Sequence, residues 1–167
     1  MTKSHNLCLL GVMLLAFYVH PVAAGCGTWA VPDTKGERFK LEEELGTSPF
    51  VLVFWATWCT PCKKEMDELR PMFEGLMEQG VKVLFISEDN VKSQAKVKPF
   101  VESKGYKWRV LLDPDGEILK RYGGTGFIPY TVVLDRHGNI ISKTRGAIKN
   151  ADRFRDGVIK LMAKDEQ

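Results

Sequence analysis

Cys59 and Cys62, separated by Thr60 and Pro61, are the residues of this 167-residue chain whose type and spacing most directly carry chemistry. Two thiols one helical turn apart can close into a disulfide and be reduced again, so the pair can carry two electrons. An apolar run over residues 49–56 leads into them. After them Met66, Leu69, Phe73, Leu76 and Met77 recur at helical spacing, with Lys63, Lys64, Glu68 and Glu74 between. Cys59 is thereby placed at a helix N-terminus, where unpaired N–H groups and the helix dipole favour an anion and ease thiolate formation below the free pKa of about 8.5. Cys59 is the expected nucleophile. Cys62, one turn further in, is the thiol expected to attack a mixed disulfide on Cys59 and close the Cys59–Cys62 bridge. Glu65 lies three residues beyond Cys62, on the same side of the helix, and can reach that thiol directly or through water. A carboxylate partly buried there has a raised pKa and can take the Cys62 proton; the alternative is a solvated first-turn acid favoured by the dipole.

The same spacing also serves as half a zinc site or as a structural disulfide. Zinc needs two further ligands. Beyond residue 25 the remaining candidates are Cys26 and His137, with no second C-x-x-C and no paired histidine, so no metal is expected. A structural disulfide of this span closes so short a loop that it constrains little of the unfolded chain.

The elements that hold the pair follow from the apolar patterning. Residues 49–56 read as a strand buried on both faces, Gln79-Gly80 stops the following helix, and residues 81–87 return as a second buried strand, giving a right-handed parallel β-α-β unit. Residues 28–45 read as a β-hairpin beside the main sheet, turning at Asp33-Thr34-Lys35-Gly36 with Phe39 and Leu41 alternating with charge. Residues 91–104 read as a helix interrupted by Pro99, ended by Gly105 before a strand over 108–112. Asp113-Pro114-Asp115-Gly116 turns the chain into a short helix over 117–122, ended by Gly123-Gly124. Strands over 131–134 and 139–144 form an antiparallel hairpin about Asp135-Arg136-His137-Gly138. A last helix is capped by Asn150 and buries Phe154, Val158, Ile159, Leu161 and Met162. Trp55, Phe50, Phe54, Phe85 and Phe100 fit core positions, whereas Trp58, directly before Cys59, is expected to form an apolar contact surface around it. Pro129, immediately before a central strand, by itself indicates a turn or an edge.

The run Phe54-Trp55-Ala56-Thr57-Trp58-Cys59-Thr60-Pro61-Cys62-Lys63-Lys64-Glu65 resembles the thioredoxin-like thiol-disulfide oxidoreductases of the TlpA/ResA type, and the likeness in organisation covers about residues 28 to 164. The resemblance implies an α/β thioredoxin-like fold: a central mixed sheet flanked by helices, with an N-terminal β-hairpin and a central strand-helix insertion. It implies an extracytoplasmic reductant of protein disulfides, without a cofactor, that receives electrons from a thiol-reducing transmembrane protein; apocytochrome c awaiting maturation is among the clients it suggests. It also implies a cis Ile128-Pro129 bond lying against the cysteines, with the Ile128 backbone pairing with an extended client peptide. Trp58, Pro61, Ile128 and Pro129 are then the substrate-binding residues, and the glutamate at position 65 is one the family carries. Two departures stand out. Ile128 and Tyr130 flank the proline where Thr-Pro-Thr or Val-Pro-Thr is common, and Asp67 stands where many relatives have a proline, with Pro71 one turn later, which displaces the expected helix kink.

At the start of the chain Lys3 and His5 precede an apolar run over residues 7–19, too short to span a bilayer comfortably, followed by Ala23-Ala24-Gly25. This reads as a signal peptide over residues 1–25 and a domain over 26–167, in a bacterial periplasm or on the outer face of the membrane. Cleavage after Ala24 suits an ordinary signal peptidase. Cleavage before Cys26 suits a lipobox, Ala23-Ala24-Gly25-Cys26, although Ala23 stands where leucine is usual; this second reading is favoured and makes Cys26 the lipidated residue. It also resolves the cysteine count, since removal of Cys8 leaves Cys26, Cys59 and Cys62, an odd number for an oxidising compartment. The chain carries 24 Lys and Arg against 21 Asp and Glu, and loss of Lys3 with the leader leaves 23 against 21. No like-charge run exceeds Glu42-Glu43-Glu44, which argues against nucleic acid as a partner, and a monomer is expected. A thiol peroxidase needs Pro and Thr set before a single attacking Cys, and a copper-handling module resembles C-x-x-x-C with a placed histidine; this chain has neither pattern.

Overall fold

A computed structural model describes residues 28–164; the expected signal peptide and Cys26 lie outside the described residues. In chain order the elements are β1 (Ala30–Pro32), β2 (Arg38–Lys40), α1 (Leu41–Glu44), β3 (Phe50–Trp55), α2 (Thr60–Glu68), α3 (Arg70–Glu78), β4 (Lys82–Ser87), a 3₁₀ turn (Gln94–Lys96), α4 (Val97–Lys104), β5 (Arg109–Leu112), α5 (Glu117–Arg121), β6 (Tyr130–Leu134), β7 (Ile140–Arg145) and α6 (Ala151–Lys164).

Five strands form one mixed sheet in the order β5-β4-β3-β6-β7. β3 lies in its middle, parallel to β4 and antiparallel to β6, and all of its residues are buried. The unbroken apolar run of the sequence is thus explained by helices or chain on both faces. Val51, Val53 and Trp55 point into a core closed by Met66, Phe73, Leu76 and Val158 from α2, α3 and α6. Phe50, Leu52 and Phe54 point into a second core closed by Trp29 and Phe39 from the N-terminal hairpin region and by Ile118 and Leu119 from α5. The β1–β2 hairpin is a separate two-stranded sheet that leans on the β5 edge, where Thr34 N–H donates to the Val110 carbonyl at 3.0 Å. α4 and β5 supply the expected strand-helix piece, with β5 parallel to β4 at the sheet edge.

Two expectations about element bounds are corrected. The hairpin does not extend to Leu45: Leu41 begins a single helical turn, in which three glutamates of poor strand propensity sit in a first turn that favours negative charge. Pro99 does not interrupt a helix over 91–104, because α4 begins only at Val97 and Pro99 falls in its first turn, where the missing N–H has no intrahelical partner. The active-site helix is split in two. Pro71 cannot donate to the Asp67 carbonyl, so α2 stops at Glu68, Leu69 takes φ −95° and ψ 7°, and α3 begins anew; this is the displaced kink expected from Pro71. Asn150 caps α6, its Oδ1 accepting the Arg153 N–H at 2.8 Å.

Candidate active site

β3 delivers the chain to Ala56 at the end of the sheet, and a tight turn closed by the Cys59 N–H on the Ala56 carbonyl (3.0 Å) aims Cys59 at the start of α2. Cys59 is the N-cap residue of that helix, and Pro61 lies in the first turn, where its fixed φ suits the helix. The Cys59 sulfur accepts the backbone N–H of Cys62 at 3.2 Å, the place a serine or aspartate oxygen takes in an ordinary cap. A thiolate on Cys59 inherits both this N–H and the positive end of the helix. The two sulfurs are joined in a disulfide, with their Cα atoms 5.3 Å apart. Cys59 is the more exposed of the two, as expected of the outer thiol, but the margin is narrow: 4% against 1%.

The Ile128-Pro129 peptide bond is cis and leads into β6. It sets the Ile128 carbonyl oxygen 4.0 Å from the Cys59 sulfur, a contact without a shared proton in the disulfide form. Around this point the surface is apolar. Trp58 is 59% exposed and Phe127 73%, whereas Trp55 is fully buried and Phe100 packs against it with ring centroids 5.4 Å apart. Cys59, Cys62, Trp58, Pro61, Ile128 and Pro129 therefore meet at one end of the sheet. Phe127 belongs with them and was not singled out from the sequence; its place next to Ile128-Pro129 was the available signal.

Glu65 lies behind the pair. It is buried, its Oε1 accepting the Ile148 N–H at 2.5 Å from the segment between β7 and α6, and its Oε2 is buried without a partner. Burial pushes its pKa up, against the opposing pull of the Ile148 N–H. The solvated first-turn acid is thus not what the fold provides. In the disulfide form Cys62 carries no proton to share, and the Glu65 carboxylate accepts the Ile148 N–H.

Two acids just beyond the next strand were not foreseen. Asp89, two residues beyond β4, binds Thr57 in the redox turn through both carboxylate oxygens, at 2.7 Å from the backbone N–H and 2.6 Å from the hydroxyl. Glu88 walls a cleft of about 470 Å³ that Trp58 and Ile128 share with Leu119 and Lys120. Desolvation, reinforced by the adjacent Asp113, pushes Glu88 up to about 8. Asp113 caps α5 by accepting the N–H groups of Glu117, Ile118 and Leu119 at 2.8 to 3.1 Å, yet burial raises its pKa too. With the Asp113 oxygens occupied by donors, the proton the pair retains belongs on Glu88. Among the described residues no group of three or more His, Cys, Asp and Glu side chains is arranged to hold a metal ion.

Comparison with known proteins matches residues 23–143 to the model of the AhpC/TSA family. This chain belongs to the AhpC/TSA family. Its similarity to curated relatives is narrower in name: it is 33% identical over 118 residues to the thiol-disulfide oxidoreductase ResA of Bacillus thuringiensis subsp. konkukian, covering 71% of this chain and 66% of that relative's length. The thiol-disulfide oxidoreductase ResA of Geobacillus thermodenitrificans is 28% identical over 151 residues, covering 87% and 84% respectively. Among solved structures, a thioredoxin-like protein from Porphyromonas gingivalis superposes with a TM-score of 0.66 at 24% identity, covering 81% of this chain and 90% of that one. The fold of this AhpC/TSA member is therefore the thioredoxin-like mixed sheet flanked by helices, with its N-terminal hairpin, that its redox run implied.

Proposed function

We propose that this protein is an extracytoplasmic thiol-disulfide oxidoreductase that reduces protein disulfides. The observation that carries the reading is the Cys59 sulfur at the N-cap of α2, holding the Cys62 N–H, bonded to Cys62 and facing the Ile128 carbonyl. The names of the ResA relatives support it. In the reduced protein the Cys59 thiolate attacks one sulfur of a client disulfide; that S–S bond breaks, and the other client sulfur leaves as a thiolate and takes a proton from water. Cys62 then loses its proton, with Glu65 as the buried carboxylate positioned to influence that step, and attacks the Cys59 sulfur. The second client sulfur leaves, two electrons have passed to the client, and the Cys59–Cys62 disulfide remains. The client backbone pairs with Ile128 beside Pro129, over Trp58 and Pro61, as an added extended segment. A thiol-reducing membrane protein returns the electrons, and a lipid on Cys26 tethers the domain to the outer face of the membrane.

A resolving thiol one turn away and already bonded to the attacking sulfur favours exchange over the peroxidase chemistry of a single cysteine. The test uses reduced protein with a disulfide-bonded model protein, and separately with hydrogen peroxide. Client thiols are expected to appear, and the Cys62→Ser variant is expected to accumulate a mixed disulfide on Cys59. Rapid peroxide consumption without client reduction would replace this reading with a thiol peroxidase. For the tether, wild-type protein is expected in the membrane fraction and Cys26→Ser in the soluble one; soluble wild type would remove the anchor.

A further inference from the structure

Asp89 is 1% exposed and makes two hydrogen bonds to Thr57 in the redox turn. Its Oδ2 accepts the Thr57 N–H at 2.7 Å and the Ser87 hydroxyl at 2.9 Å, and its Oδ1 accepts the Thr57 hydroxyl at 2.6 Å. The Ser87 hydroxyl in turn accepts the Asp89 N–H at 3.2 Å. All of these partners are uncharged, and among the described residues no lysine or arginine pairs with Asp89. Of the basic residues on α2, Lys63 lies over the Phe100 ring and Lys64 pairs with Glu68. Glu88 beside it leans on Asp113, and Glu65 on α2 accepts the Ile148 N–H; both are acids and add no positive charge near Asp89. A neutral asparagine would still accept the Thr57 N–H and the Ser87 hydroxyl on its oxygen, and its NH2 could donate to the Thr57 hydroxyl, which can rotate to accept. The hydrogen bonds explain an acceptor at this position; they do not explain an uncompensated negative charge.

Thr57 is two residues from Cys59 in the turn closed by the Cys59 N–H on Ala56. We propose that Asp89 is a positioning residue for the redox turn whose buried charge opposes negative charge on Cys59 and so holds the Cys59–Cys62 couple at a more reducing potential. The proposal rests on the reading of these cysteines as a redox couple. Reduction adds two electrons to the S–S bond, with protons from water, and leaves Cys59 as a thiol or thiolate and Cys62 as a thiol. The helix N-terminus and the Cys62 N–H stabilise the thiolate product and would make the protein an oxidant. A fixed anion hung on the same turn works against them, since low-dielectric surroundings leave it poorly screened. The balance between the two then decides which way electrons run, and Asp89 tips it toward donation.

The test equilibrates the full chain with reduced and oxidised glutathione and follows Cys59 ionisation by thiolate absorbance. In Asp89→Asn the equilibrium should shift toward the reduced protein by about tenfold, equivalent to about 30 mV, and Cys59 should ionise at lower pH. Thr57→Val keeps the charge and one hydrogen bond while losing the hydroxyl, so it should move the potential much less. If Asp89→Asn does not fold, the double variant Thr57→Val with Asp89→Ala removes the charge and its hydroxyl partner together and should show the same rise in potential. Wild-type potential and wild-type Cys59 ionisation in whichever of these variants folds, or an equal shift in Thr57→Val, would reduce Asp89 to a structural clamp. Failure of the wild type to equilibrate with glutathione at all would instead remove the redox reading on which the proposal stands.

Discussion

Replacing Glu88 by glutamine should alter how stability depends on pH. In the folded protein Glu88 keeps its proton to about 8, against an ordinary value of 4.5, because it is desolvated and faces Asp113. Below pH 4.5 both folded and unfolded chains hold this proton, and the contribution is fully present. As the pH climbs toward 8 the unfolded chain ionises while the folded chain must keep the proton, so stability is lost across that window and levels off above it. A separation of about 3.5 pH units corresponds to a ceiling of about 5 kcal/mol. Glu88 is only half-buried, and water and side-chain relaxation in its cleft reduce this to ~1–2 kcal/mol. Glutamine keeps the size and can still donate to Asp113 but does not titrate. Urea unfolding of the oxidised proteins should give nearly equal stabilities at about pH 4.5, with the wild type losing ~1–2 kcal/mol relative to Glu88→Gln by about pH 8.5. Asp113 faces Glu88, so the difference between the two proteins reads the coupled pair, whose retained proton is lost in Glu88→Gln. A difference that stays constant across the range would show that Glu88 titrates alike in the folded and unfolded chains and that its contact with Asp113 does not hold a proton.

Glu65→Gln should leave the Ile148 hydrogen bond in place and flatten the pH dependence of mixed-disulfide resolution, measured by stopped-flow release of a client thiol; a profile that overlays the wild type would take the carboxylate out of the chemistry. Gly124→Ala would set a Cβ 2.2 Å from Leu119 Cδ1 and 3.0 Å from the Leu119 carbonyl oxygen, so the α5 end must shift. A loss of about 1–3 kcal/mol in thermal or urea unfolding is expected, and an unchanged midpoint would mean that Leu119 repacks freely.

The parts of the site that were legible in the sequence are those encoded locally. Cys59 as a cap follows from an apolar strand running straight into a helical repeat, and the split at Leu69 follows from a proline lacking one donor. Ile128-Pro129 lies far from the cysteines in sequence, and its approach to Cys59 came from family likeness rather than from periodicity. Asp89 and Glu88 were passed over because Ser87-Glu88-Asp89-Asn90 looks like any polar strand exit. Only the parallel pairing of β4 with β3, which sets Trp55 opposite Ser87, brings that exit beside the redox turn. Glu65 was placed correctly on the inner side of α2, but its partner Ile148 comes from the segment between β7 and α6, a tertiary contact that helix geometry does not announce. The hairpin and helix bounds failed where a local rule met a competing one: strand alternation against three consecutive glutamates at α1, and a proline read as a breaker where it occupied a first turn.

If the proposed exchange holds, the slight exposure of Cys59 bears on which clients it can serve. A sulfur so nearly covered, at the head of a fully enclosed central strand, can be reached only by something narrow. The exposed Trp58 and Phe127 neighbour Cys59 and Ile128 in the chain, and would hinder a disulfide lodged inside a completed protein. An extended segment still waiting to fold can lie across those rings and present its sulfur end-on. Selection of this kind needs no sequence motif in the client. It would let one protein serve many clients while they are extended and pass over them once they have folded.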